Sequence, residues 1–342
     1  MNRVFHMLEP QVWQKACQTG FYQAESLPIE GFIHFSHLAQ VERVANMFYG
    51  QIDELLLLEV DPELCSAQWK HEDSEGTGEL FPHLYGPLNL PAIKRVHRLL
   101  KSDSWYLPKV LADNTAYTKM ILFDIDSTLM IGSQTHKEAF QLSMKDHFNI
   151  EGSMQGIPVH GCTDPNIARQ FLSVHGVDEA RVDSGLKHFL NGIIKHFLRL
   201  GPDPKSRLLK NSEACLNFLK EQGILLGLVT GNLELIGWQK LMNHQIDAYF
   251  TFGIFSSDHP ERSQMVSMAL EKAAQKYKIK SNNVLLVGDS IYDVRAALDN
   301  NIEVLAVTTG KHTTEELAAE GAVNIQAELN LKIFEQLLAK IG

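Results

Sequence analysis

The chain has 342 residues, 44% of them hydrophobic and 21% charged, which excludes a disordered or fibrous protein and exceeds what one hydrophobic core usually serves. Its net charge of −10 is shared evenly, with 9 Lys and Arg against 14 Asp and Glu in residues 1–112 and 22 against 27 in 113–342. Neither half is a basic nucleic-acid surface, so no nucleic-acid partner is expected. No run approaches the ~18 apolar residues of a membrane span and the start, MNRVFHMLEPQVW, has no signal-peptide core, so a cytoplasmic protein without a membrane partner is expected. Cys17, Cys65, Cys162 and Cys215 are scattered without a C-x-x-C pair, the pattern of reduced thiols.

In chain order, residues 1–100 mix short apolar runs (31–35, 55–60) with aromatics and histidines, which predicts a small α+β domain. Residues 101–118 are polar, carry a proline and lack an apolar period, so they predict a linker and a division into domains 1–112 and 113–342. Apolar runs of strand length follow at Met120–Phe123, 225–229, 284–287 and 304–307, each ending in small or acidic residues. Helical spacing lies between them at 212–222, 233–242, 264–277 and Ile291–Asp299, so the βα alternation predicts an α/β fold with a doubly wound parallel sheet. Residues of about 133–207 have helical spacing and almost no β-rich runs, which predicts a helical insertion over the site.

In such sheets ligands bind beyond the carboxyl ends of the strands. There the first strand runs into Asp124-Ile125-Asp126-Ser127-Thr128, whose carboxylates, two residues apart, emerge together and can hold a hard divalent cation such as Mg²⁺. Asp289, after the strand at 284–287, can add a carboxylate, and Asp293, one helical turn on, can fix metal waters. Thr230, Gly231 and Asn232 offer a hydroxyl and backbone N–H donors at a helix start, where a phosphate oxygen is favoured. Thr163, Asp164 and Arg169 in the insertion could reach the leaving group, although Thr-Asp-Pro is also an ordinary helix start. The insertion's histidines at 136, 147, 160, 175, 188 and 196 have no metal-ligand spacing.

DIDST, LVTGN and GDSIYD, each after a strand, resemble the first, second and fourth motifs of the haloacid-dehalogenase-like hydrolases over residues 119–342, and the stretch from LGLVTGN to SMALEKA is similar to their phosphoglycolate-phosphatase-like branch. The resemblance implies a Mg²⁺-dependent phosphatase with a Rossmann-like sheet and helical cap, acting on a small phosphorylated metabolite. It makes Asp124 the nucleophile and Asp126 the general acid/base. Mg²⁺ would lie on Asp124, Asp289 and the Asp126 backbone carbonyl, with Asp293 behind it, while Thr230 and Arg262 stabilise the transferring group and Ser127, Gly231, Asn232 and Thr163 bind substrate. Ser127 stands where many members have Gly, and Arg262, or else Lys272, takes the place of the third-motif Lys. A phosphomutase on the same scaffold remains open; a dehalogenase would need neither Asp126 nor Asp289. The stretch from WQKACQTG to NMFYG, with FPHLYGPLNLPAI, resembles a small bacterial family known only as domain of unknown function 952. That family's grouping with ADP-ribosyltransferase-like folds implies an NAD-type or ADP-ribose-type ligand, or a transferase activity, with His6, His34, Ser36, His83 and Tyr85 as candidate site residues. A satisfied structural histidine is the ordinary alternative.

Overall fold

The computed structural model describes residues 3–74, 76, 78–108, 111, 115–132 and 134–341. The chain divides into two compact units, Met1–Ala112 with Ile194–Leu200, and Asp113–Ile193 with Gly201–Gly342. The expected boundary between residues 112 and 113, and residue 133 at the start of the expected insertion, lie outside the described residues.

The first unit is α+β. Strands Val4–Leu8, Glu54–Val60 and Ile93–Leu100 form one antiparallel sheet; a second pairs Ile33–His34, Phe81–Tyr85 and Gln68–Glu72. Helices Pro10–Thr19 and Leu38–Phe48 accompany them. Trp105, inside the expected linker, is 1% exposed and packs with Val41, Leu55 and Leu57; its indole N–H donates to the Tyr49 carbonyl at 3.0 Å. The first unit thus extends further than polar composition implies, because one buried aromatic outweighs its polar neighbours.

In the second unit a six-stranded parallel sheet comprises β1 (Met120–Phe123), β2 (Leu225–Thr230), β3 (Phe252–Phe255), β4 (Val284–Gly288), β5 (Glu303–Val307) and β6 (Asn324–Gln326), in the order β3-β2-β1-β4-β5-β6. Side chains alternate between faces, so Ile121 and Phe123 pack into one core with Leu216, Trp238 and Phe334, while Met120 and Leu122 pack into the other with Met265, Val266 and Val294. Both faces being covered explains the continuous apolar runs. Met120 aligns with Leu225 on one side and Val284 on the other, so strand order reverses at β1 and the chain leaving it enters the crevice between β2 and β4.

The insertion is helical, as its spacing predicts. An antiparallel ribbon of Met130–Ile131 with Arg207–Leu208 carries α1 (Gln134–Phe148), α2 (Asp164–Val174) and α3 (Glu179–Leu200). Phe140, Phe148, Phe171 and Phe189 interlock at ring-centre distances of 5.9–6.4 Å. Among the described residues, the remaining α-helices of this unit are α4 (Ser212–Glu221), α5 (Glu234–Asn243), α6 (Arg262–Lys272), α7 (Ile291–Asp299), α8 (Thr314–Ala319) and α9 (Leu331–Lys340). No described helix is long and apolar enough to cross a membrane.

Candidate active site

Three strand ends converge beside a cleft lined by Asp124, Asp126, Ser127, Thr230, Asp289 and, from the insertion, His136 and Cys162 among others. Asp124 follows β1, Thr230 ends β2 and Asp289 follows β4, so the strand order that reverses at β1 brings them together. The carboxylates of Asp124, Asp289 and Asp293 are buried with ligand atoms within 4.8 Å of one another. Burial pushes the Asp124 carboxyl up to about 6 against the pull of Arg262, and burial together with the charges of Asp124 and Asp293 pushes Asp289 up to about 8.

Arg262 at the start of α6 is the cation of this cluster. Its Nη1 lies 3.6 Å from Asp124 Oδ1 and donates a short hydrogen bond to Asp293 Oδ1. Among the described residues, neither Arg262 Nε nor Asp124 Oδ1, both buried, has a hydrogen-bond partner. Asp293 also accepts from the Ser290 hydroxyl at 2.6 Å and amide at 3.1 Å, a capping box that fixes α7. Lys272 lies instead with its ammonium 4.8 Å from the centre of the Phe252 ring, outside the cleft lining. Arg262 opens α6 at the strand ends, and Lys272 closes it.

Asp126 is gripped from the other side. Lys240 of α5 donates to its Oδ1 at 2.9 Å and Oδ2 at 2.7 Å, and Asn232 Nδ2 donates to Oδ2 at 2.8 Å. Burial would raise this carboxyl, but the Lys240 charge and these hydrogen bonds outweigh it and hold it below the usual carboxylate range. Asn232 Nδ2 also lies 2.8 Å from Thr230 Oγ1. Ser127 has φ 62°, the left-handed conformation that favours glycine. Its carbonyl accepts a short hydrogen bond from Thr309.

Two glycines permit close approach. A Cβ on Gly231 would sit 2.3 Å from the Cys162 carbonyl oxygen, where the insertion meets the second strand end. A Cβ on Gly310 would sit 1.7 Å from Asp289 Oδ2. Thr163 is not among the cleft-lining residues: its hydroxyl donates to the Pro260 carbonyl at 2.8 Å, while its neighbours Cys162 and Asp164 do line the cleft. Thr163 is the N-cap of α2, the ordinary helix-start reading of Thr-Asp-Pro. Arg169 pairs with Asp183 at 2.6 Å on the surface. Of the insertion histidines, His136 and His160 line the cleft.

Residues 121–307 match the family model described as haloacid dehalogenase-like hydrolase. The chain belongs to this haloacid dehalogenase-like hydrolase family. Among relatives, glyceraldehyde 3-phosphate phosphatase of Pyrococcus furiosus is 21% identical over 216 residues, 58% of this chain and 84% of that protein. Phosphoglycolate phosphatase of Nitrosococcus oceani is 30% identical over 106 residues, 31% of this chain and 47% of that protein. A solved haloacid dehalogenase-like structure from Bacteroides fragilis has the same fold, with TM-score 0.50 at 23% identity over 62% of this chain and 98% of that one. The haloacid dehalogenase-like match therefore falls in the second unit, apart from Ile194–Leu200. Residues 7–96 match a separate family model described as a protein of unknown function, DUF952.

In the DUF952 unit the candidate residues fall into two groups. His6 Nδ1 donates to the His34 carbonyl at 2.6 Å, which leaves Nε2 to accept from the Tyr22 hydroxyl at 2.7 Å. Burial drives its pKa down to about 4, so this histidine is neutral and structurally satisfied. Ser36 joins the first strand through backbone bonds with Phe5 of 2.7 and 2.8 Å. His34, His83 and Tyr85 surround Phe32 at ring-centre distances of 4.9, 4.1 and 5.4 Å, with His34 directly opposite His83 across the strand pair. Glu72, which sequence reasoning did not single out, accepts from the Tyr85 hydroxyl at 2.5 Å.

Proposed function

We propose that residues 113–342 form a Mg²⁺-dependent phosphatase that hydrolyses a small phosphate monoester through an aspartyl-phosphate on Asp124. The observation that carries this reading is the setting of that carboxylate: at a strand end, buried, with one oxygen lacking a hydrogen bond, and sharing a single arginine with two further carboxylates. Three buried acids beside one guanidinium form an excess of negative charge that a hard divalent cation fits. The carboxylates of Asp124 and Asp289 and the backbone carbonyl of Asp126 would hold Mg²⁺, which supplies Lewis-acid charge neutralisation. The membership of the chain in a hydrolase family, and the phosphate esters named for its relatives, support a small phosphorylated metabolite as substrate.

In the first step a carboxylate oxygen of Asp124 attacks phosphorus in line and the bond to the leaving oxygen breaks, while Asp126, which takes up a proton once the charge of the bound phosphate offsets that of Lys240, gives that proton to the leaving oxygen. In the second, Asp126 takes a proton from water as the water oxygen attacks the same phosphorus, and release of phosphate restores Asp124. Arg262, with its unpaired buried Nε, the Thr230 hydroxyl and the Gly231 amide would bind the phosphoryl oxygens, with Ser127 at their edge. Asn232 would act through Asp126, which its amide already contacts. We further propose that the chain joins two modules that divide near residue 112, with all of this chemistry in the second.

The experiment is phosphate release from a panel of phosphorylated metabolites with and without Mg²⁺. Free phosphate accumulating only with the metal is expected. Retention of the phosphoryl group on an isomerised sugar would instead show a phosphomutase, and metal-independent turnover after exhaustive chelation would overturn the proposal.

A further inference from the structure

Lys240 lies outside the three motifs DIDST, LVTGN and GDSIYD, and yet it occupies the centre of the site's hydrogen-bond network. Its side chain is 5% exposed. Beyond the two oxygens of Asp126, its ammonium donates to Asn232 Oδ1 at 2.7 Å and lies 3.3 Å from His136 Nδ1. His136 in turn lies 3.3 Å from Asp164 Oδ2, and Asp164 accepts from the Leu233 amide at 2.7 Å. One buried cation thus links the loop after β1, the end of β2, helix α5 and the insertion helices α1 and α2.

Burying an ammonium costs several kcal/mol, and a paired buried charge is on average no more stabilising than an apolar residue of the same size. Stability is therefore a poor reason for a lysine here. Geometry offers a better one. Asp126 is 35% exposed at its side chain and open to the cleft, so unrestrained it would sample several rotamers in water. A two-oxygen grip from Lys240, closed by Asn232 on Oδ2, fixes the carboxylate plane in one orientation. Proton transfer demands that orientation, since the acid must lie within hydrogen-bond reach of the leaving oxygen.

We propose that Lys240 is a positioning residue that holds Asp126 aimed at the leaving-group oxygen, and so governs how well the enzyme expels poor leaving groups. The proposal rests on the phosphatase reading above. When Asp126 delivers the proton, the bond from phosphorus to the leaving oxygen breaks as the O–H bond forms, and Asp126 is left as the carboxylate that Lys240 and Asn232 already clasp. An aryl phosphate, whose phenolate leaves without a proton, should hardly need this aim. An aliphatic phosphate should need it fully.

The test compares kcat of full-length wild-type, Lys240→Met, Asp126→Asn and the double variant on p-nitrophenyl phosphate and on glycerol phosphate, with circular dichroism as the check of folding. Lys240→Met should lose about 100-fold on the glycerol ester, within the usual range for general acid catalysis, and no more than about 3-fold on the aryl ester. In the Asp126→Asn background it should cost nothing further on either, because residues that act as a unit are non-additive. Lys240→Gln, whose amide keeps N–H donors without the charge, should recover part of the loss and serves in place of Met if that variant does not fold. Equal losses on the two esters, or a further loss in the Asp126→Asn background, would overturn the role of Lys240 and leave the phosphatase reading intact. Absence of wild-type turnover on both esters would overturn the two together.

Discussion

Replacing Arg262 by Met removes the guanidinium of the carboxylate cluster and keeps most of the apolar stem. The charge lost stands 3.6 Å from Asp124 and bonds Asp293 directly. At that separation, with an effective dielectric constant of about 20, each such pair is worth roughly 4–5 kcal/mol of Coulomb energy. Part of this is offset because no buried guanidinium then has to be stripped of water. The expected net loss is about 3 kcal/mol, at the low end of the cost of leaving a buried charge unpaired. Urea unfolding of the chelated protein at about pH 7.5 measures it, and the same comparison at about pH 5, where Asp124 and Asp289 protonate, should give a smaller loss. Mg²⁺ should also shrink the difference. A loss below about 1 kcal/mol at the higher pH, or an equal loss at both, would refute the view that Arg262 balances the cluster.

Gly310→Ala places a Cβ 1.7 Å from Asp289 Oδ2, so that carboxylate must turn away. Mg²⁺ affinity by calorimetry should fall about 10- to 100-fold in a folded protein, and an unchanged Kd would remove Asp289 from the metal site. Because the folded-state values for Asp124 and Asp289 are raised, to about 6 and about 8, the native state holds these protons more tightly than the unfolded chain. Their contribution is complete at low pH and is lost as pH rises through those values, so Tm in EDTA should decline from about pH 5 to about pH 8. Saturating Mg²⁺, or Asp289→Asn, should flatten that decline; an identical slope in all three would contradict the assignment.

The sheet was legible where chemistry repeats itself. Runs such as MILF and VLLVG, buried on both faces and ending in Asp, Gly or Thr, announce parallel strands beside a site. Strand β3 was not singled out because Gly253 interrupts its apolar run, and β6 because its three residues, NIQ, are half-buried at a sheet edge with little apolar signal. Asp124, Asp126, Thr230 and Asp289 could be found because their spacing after strands is itself the geometry. Lys240 could not be found from any motif, although a signal existed: it lies four residues after Ile236 and three after Gly237, both buried, so its helical phase puts a charge on the apolar stripe of α5. The Trp105 anchor and the meeting of His136 with Lys240 depend on tertiary packing, which local pattern does not encode.

The central claim, a covalent phosphoryl group on Asp124, is tested most directly by acid-quenching the enzyme during Mg²⁺-dependent turnover and mapping peptides by mass spectrometry. The account predicts the mass of one phosphoryl group on the peptide containing Asp124, sensitive to alkali as an acyl phosphate is, and absent from Asp124→Asn together with phosphate release. Turnover by Asp124→Asn at more than about a tenth of the wild-type rate, or the phosphoryl group on another residue, would contradict it.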